Sequence, residues 1–224
     1  TPAVLAHLAE SDIAVADYND VWGALAAYNG DSILLQPTRC NRAVLEHLNP
    51  ACQPVFKDSP VAAMKAVKNS VEIEGFKGAM LAEGIAMVKL LHWLKPAVER
   101  GGITELDVDK QLTAYRSENV NFAGLSFATI AAYGPNAAIV HYEPTEECNA
   151  LLQSRGFLLL DCGGQYNCGT TDITRTIPLG PLSEEERRSY TFVLRGHISL
   201  AMAKFPLGTC GTQLDVLARQ WLWQ

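Results

Sequence analysis

The sequence predicts an α+β fold: the end of a small α/β unit, then a larger domain in which long helices give way to strands. Three observations carry this. The proline-punctuated stretch CQPVFKDSP separates residues 1–57 from residues 58–224. A helical apolar period runs from about Val71 to Glu99. From Phe122 onward the period changes to the alternation of strands.

Composition bounds the function before any motif does. The 224 residues are 48% hydrophobic and 19% charged, with a net charge of −6, enough for one large or two smaller cores. The 18 Lys and Arg are scattered without a basic stripe, which argues against a nucleic-acid partner. The most apolar helical run, Ala79 to Leu94, is broken by Glu83, Lys89 and His92, which argues against a membrane span. No signal peptide is visible. The six cysteines form no C-x-x-C pair and predict reduced thiols and a cytoplasmic address. Thr1 at one end and the uncapped helical pattern QLDVLARQWLWQ at the other lead us to expect a fragment.

The elements follow in order. SDIAVAD and DSILLQP have the pattern of strands, and NRAVLEHL that of a helix after Asn41. CQPVFKDSP is expected to be a linker. Ser59-Pro60 supplies an N-cap and a first helical residue for a short helix through Lys68. In the long helix that follows, Ile73, Phe76, Met80, Met87, Leu91 and Leu94 repeat near the helical period, and Gly101-Gly102 ends it. Thr104 and Asp107 form a capping box for a third helix through Tyr115 and Glu118. LSFATIAAY, AAIVHY, FLLLDCGG and TDITRTIPL are strand-like, with turns at Gly134–Asn136 and Asn167–Gly169. Ser183 and Glu186 cap another helix, with Tyr190, Val193, Leu194, His197, Ala201 and Phe205 on one face. FPLGTCG ends it, and the last helix starts at Thr212.

Within LLLDCGGQYNCGTTDITRT, residues 158–176, Asp161 and Asp172 stand eleven positions apart with no basic residue between them. As a bulge-free hairpin with its turn near Tyr166-Asn167, this stretch sets the two carboxylates opposite each other, Cβ atoms about 4.5–5.5 Å apart. A shifted turn makes them diagonal neighbours instead. Opposed like charges destabilise a hairpin unless something offsets them. Two divalent cations about 3.5–4 Å apart would do so and are a known device for hydrolysis. Carboxylates suit hard ions such as Mn²⁺ or Mg²⁺, and Thr170, Thr171 and Thr174 could support the ligands. The spacing alone is equally met by two unrelated aspartates.

The words KAVKNSVEIEG, GPNAAIVHY and LLLDCGGQYNCGTTDITRT resemble the pita-bread metallopeptidase family, and within it the Xaa-Pro aminopeptidases (aminopeptidase P), from about Pro60 to Gln224. The resemblance implies that residues 58–224 are the first part of a pita-bread catalytic domain, preceded over residues 1–57 by the end of a creatinase-N-like α/β domain. It implies Asp161 as a terminal metal ligand, Asp172 as the bridge between two divalent ions, and His141 as a substrate contact. Manganese is the expected metal, with zinc or cobalt as alternatives. The implied activity is removal of the N-terminal residue before a penultimate proline, by a metal-activated hydroxide. The family's ligand set also needs one His and two Glu, and no H-G-x-G-H pattern occurs here. No general base is therefore assigned on this chain, and the isolated chain is expected to bind metal weakly and not to turn over. Its expected partners are peptides with proline second and either the missing C-terminal half or a second copy. A prolidase or creatinase-like hydrolase is the alternative within enzymes; a metal-free scaffold that binds proteins is the alternative outside them. His7, His47, His92 and His197 receive packing or surface roles, Arg175 either balances the acidic site or lies on the surface, and Cys162 and Cys168 are taken as small buried thiols.

Overall fold

The computed structural model describes residues Thr1–Trp223. The chain divides into two compact units, Thr1–Asn69 and Ser70–Gln224. The short helix opened by Ser59 lies in the first unit.

The first unit holds α1 (Pro2–Glu10), α2 (Asp20–Ala27), β1 (Ser32–Leu35), α3 (Arg42–His47), β2 (Gln53–Phe56) and α4 (Pro60–Ala66). Asn41 and Ser59 cap α3 and α4 by accepting from Ala43 N and Val61 N. Two expectations fail here. SDIAVAD is not a strand: its alternation finds no ladder partner, and Ile13 and Val15 stay exposed. CQPVF is not a linker but carries β2, which pairs in parallel with β1. Pro54 is tolerated because a two-stranded sheet has only edges, so its missing N–H can face away from the ladder.

The second unit opens with α5 (Ser70–Arg100) and α6 (Glu105–Ser117), then β3 (Phe122–Leu125), β4 (Ile130–Tyr133), a 3₁₀ turn over Gly134–Ala138, β5 (Phe157–Cys162), β6 (Gly164–Tyr166), β7 (Gly169–Thr170), β8 (Ile173–Pro178), α7 (Glu184–Ala201) and α8 (Gly211–Arg219). Gly101 and Gly102 end α5 in the left-handed region, φ +80 and +82. The Thr104–Asp107 and Ser183–Glu186 capping boxes both form. Among the described residues no helix is long and apolar enough to cross a membrane.

Two three-stranded antiparallel sheets result, β4-β5-β8 and β3-β6-β7. Along β5 burial alternates: Leu158, Leu160 and Cys162 are buried against Leu90, Leu94, Val108 and Leu112 of the two helices. The buried stripe of α5 is Ala79, Glu83, Ala86, Met87, Leu90, Leu94, Ala97 and Val98. Of the stripe read from sequence only Met87 and Leu94 lie on it; Ile73, Phe76, Met80 and Leu91 remain exposed. The small residues Ala79 and Ala86 let the helix approach the sheet, and a count of large apolar residues overlooks them. LSFATIAAY is likewise not one strand: β3 and β4 belong to different sheets.

Candidate metal centre

The segment from Leu158 to Thr176 is a hairpin whose register is unbroken: Leu159 pairs with Thr176, Asp161 with Thr174, Gln165 with Thr170 and Tyr166 with Gly169. Its turn is Asn167-Cys168, one residue later than a turn that would oppose the two aspartates. Asp161 therefore faces Thr174, and Asp172 sits diagonally, two residues before it. Strand alternation puts both carboxylates on the same face, away from α5 and α6. Along the return strand Thr171 is buried, Asp172 exposed, Ile173 packed on the helical core and Thr174 exposed.

That open face is partly covered by the segment after β4. Tyr142 packs on Ile130, Ala132 and Leu159, the residues that share a face with Asp161. His141 stands next to it, exposed, in a turn. AAIVHY was expected to be a strand with His141 at its end, and it is not. Pro135 starts a 3₁₀ turn, and the side chain of Tyr142 is drawn inward by a buried carboxylate. That carboxylate is Glu105, at the start of α6. It accepts from Tyr133 N (2.6 Å), Ala150 N (2.7 Å), Asn136 Nδ2 (3.0 and 3.1 Å) and the Tyr142 hydroxyl (2.7 Å). Burial and then the Glu105 carboxylate raise the Tyr142 hydroxyl above its ordinary range, so it remains a donor.

A second buried carboxylate, Glu83, lies on α5. Glu83 is paired with Arg116, both wholly buried, through Nε (3.0 and 3.1 Å) and Nη2 (2.5 Å). It also accepts from the hydroxyls of Tyr166 (3.0 Å) and Thr171 (3.1 Å). Burial opposes the Arg116 charge, but the Glu83 bonds outweigh it and hold the guanidinium above its ordinary value. Burial, and then Glu83, raise Tyr166. Burial pushes the Cys162 thiol up to about 11, so at neutral pH it is protonated and a poor ligand. Of the pair taken as small buried thiols, Cys162 is buried and Cys168 is exposed at the hairpin tip.

Glu83, Arg116 and Glu105 escaped the sequence reading. Glu83 left one trace: it stands four residues before Met87, on the buried face of α5. The glycines of KAVKNSVEIEG and LLLDCGGQ also find their reason. A Cβ on Gly75 would strike the Cys168 carbonyl, and one on Gly163 would strike the Thr171 carbonyl, so helix and hairpin close up only without side chains there.

The donor set fits divalent metal. Oδ1 of Asp161 is buried without a hydrogen-bond partner. Such an oxygen is costly unless a proton or cation meets it. Among the described residues no three of His, Cys, Asp and Glu gather closely enough to hold an ion.

Comparison with known proteins places these features. The model of metallopeptidase family M24 matches residues 74–224, and that of the creatinase/prolidase N-terminal domain matches residues 1–72. A probable Xaa-Pro aminopeptidase P of Botryotinia fuckeliana is 37% identical over 229 residues, covering 98% of this chain and 35% of its own. The chain thus spans about a third of the length of that curated relative. The X-prolyl aminopeptidase of Caenorhabditis elegans, described as a cytosolic enzyme with a di-nuclear active site, superposes with a TM-score of 0.88 at 32% identity, over 100% of this chain and 38% of that one. A prolidase from Pyrococcus furiosus shares the fold, with a TM-score of 0.74 at 21% identity.

Proposed function

The chain belongs to metallopeptidase family M24, and from that premise we propose that it forms part of an Xaa-Pro aminopeptidase in which Asp161 and Asp172 hold two divalent ions, manganese foremost. The observation that carries this reading is the buried, partnerless oxygen of Asp161 on the sheet face it shares with Asp172. Bound there, the ions would supply Lewis acidity, making water nucleophilic at neutral pH and polarising the scissile carbonyl.

The chain's own residues orient and hold. Asp161 presents its carboxylate from β5, and Asp172 stands just before β8, the strand paired with β5. His141, exposed and next in sequence to the Tyr142 that packs on Ile130, Ala132 and Leu159, would donate an imidazole N–H to the oxygen of a substrate carbonyl and to the charge that develops on it. Glu105 fixes that placement by binding both ends of the segment, Tyr133 and Ala150.

The test is hydrolysis by the full-length gene product loaded with Mn²⁺. A tripeptide with proline second should lose its first residue, and a chelator should stop the reaction. Cleavage of an Xaa-Pro dipeptide but not of the tripeptide would convert the reading to a prolidase. Cleavage of neither would remove the enzymatic reading.

A further inference from the structure

Thr171 and Asp172 occupy a gap in the sheets. β7 ends at Thr170 and β8 begins at Ile173, so regular ladder bonds do not fix the aspartate. What fixes the residue before it is a set of bonds to every polar atom of Thr171. Its N–H donates to the Gly164 carbonyl (2.9 Å), and its carbonyl accepts from the Ser126 hydroxyl (3.0 Å). Its Oγ1 accepts from Gly164 N (2.9 Å) and donates to Glu83 (3.1 Å). Glu83 is in turn held by two nitrogens of Arg116, from a different helix, and by Tyr166, from the outgoing limb of the same hairpin.

Three elements thus converge on one hydroxyl. Alternation directs the Thr171 side chain toward α5 and that of Asp172 toward the open face, so locking the first sets the direction of the second. The hydrophobic core of α5, α6 and β5 already joins helix to sheet.

We infer that Glu83 and Arg116 are positioning residues for the metal centre: through the Thr171 hydroxyl they aim the Asp172 carboxylate and so set metal affinity. This rests on Asp172 being a metal ligand. Outer groups that orient a ligand commonly govern affinity about 10–100-fold, although they never touch the ion.

The experiment is calorimetric titration of Mn²⁺ into the metal-free full-length gene product and its variants. Thr171→Val keeps the shape and removes the hydroxyl; it should weaken binding about 10–100-fold, and Thr171→Ser should bring it back to within about threefold of the unaltered protein. Leu179→Ala, which loosens the core beyond the far end of β8, should lower the melting temperature and leave the Mn²⁺ affinity alone. Asp172→Asn should lose binding at its site. If Asp172→Asn loses binding while Thr171→Val binds as the unaltered protein does, the positioning role is wrong and the metal reading survives. If Asp172→Asn binds normally, both fall. Should Thr171→Val not fold, Glu83→Gln titrated in the same way decides by the same criterion.

Discussion

The two sides of the β4-β5-β8 sheet treat carboxylates in opposite ways. On the helical side Glu83 is completely buried, yet it is met by an arginine and two hydroxyls. Glu105, equally buried, has two backbone amides, an asparagine and a tyrosine around it. On the open side Asp161 is only half-buried, and one of its oxygens has no donor at all. Burial therefore does not mark a functional carboxylate in this protein, and an unmet oxygen alone does not either, since Asp109 on α6 has one too; Asp161 differs in sharing its sheet face with a second carboxylate, Asp172. A saturated carboxylate has no capacity left for a ligand, whereas an unsaturated one retains its attraction for a cation.

The contrast can be broken most forcefully at Glu83. Arg116→Met strands a buried charge and should cost about 3–5 kcal/mol in urea unfolding. Replacing both partners, as Glu83→Leu with Arg116→Met, should recover much of that loss in stability. A loss below ~1 kcal/mol for Arg116→Met would show that Glu83 is not held as described.

Glu105→Ala should come next. It leaves buried donors without an acceptor, each costing on the order of 1–3 kcal/mol, and hydrogen exchange should show residues 133–150 loosened before the core. Asp161→Asn should behave in the opposite sense: in metal-free protein it removes no hydrogen bond to Oδ1, so its unfolding free energy should stay within about 0.5 kcal/mol of the unaltered value, the range of substitutions that disturb no partner.

A smaller contrast separates the cysteines. With its thiol raised to about 11 and buried, Cys162 should resist a thiol reagent at pH 8 until unfolding, while Cys148, Cys168 and Cys210 react in the native state. Early labelling of Cys162 would mean that β5 opens readily.

The smallest effect concerns acid. The Thr104 backbone N–H and hydroxyl hold the Asp107 carboxyl below its ordinary value of 3.8. Its folded value is lowered, so the stability it contributes is present above pH 3.8 and is lost as pH falls through the folded value. Asp107→Asn should flatten that part of the acid-unfolding curve and lower neutral-pH stability slightly, since the carboxylate's contribution is present there.

The sites legible in the sequence were those whose chemistry contradicts their surroundings. Asp161 and Asp172 stand out because they are charged residues in apolar, hydroxyl-rich strands. The capping boxes at Thr104 and Ser183 are legible because both partners lie within four residues. The hairpin register was not legible: moving its turn by one residue, from Tyr166-Asn167 to Asn167-Cys168, changes opposed carboxylates into diagonal ones, and none of these residues dictates the turn type. IVHY has strand-forming residues, but Tyr142 finds its hydroxyl acceptor in Glu105, 37 positions away, and that pull overrides local preference. Arg116 and Glu83 are separated by 33 positions on two helices, so only the packed structure makes them a pair.

The central claim is that the open-face aspartates, and not the buried glutamates, hold metal. Anomalous diffraction from crystals of the Mn²⁺-loaded full-length gene product tests it directly. The account predicts manganese peaks within bonding distance of the carboxylates of both Asp161 and Asp172, with Glu83 still on Arg116. Manganese bound elsewhere, or at Glu83 or Glu105, would contradict it.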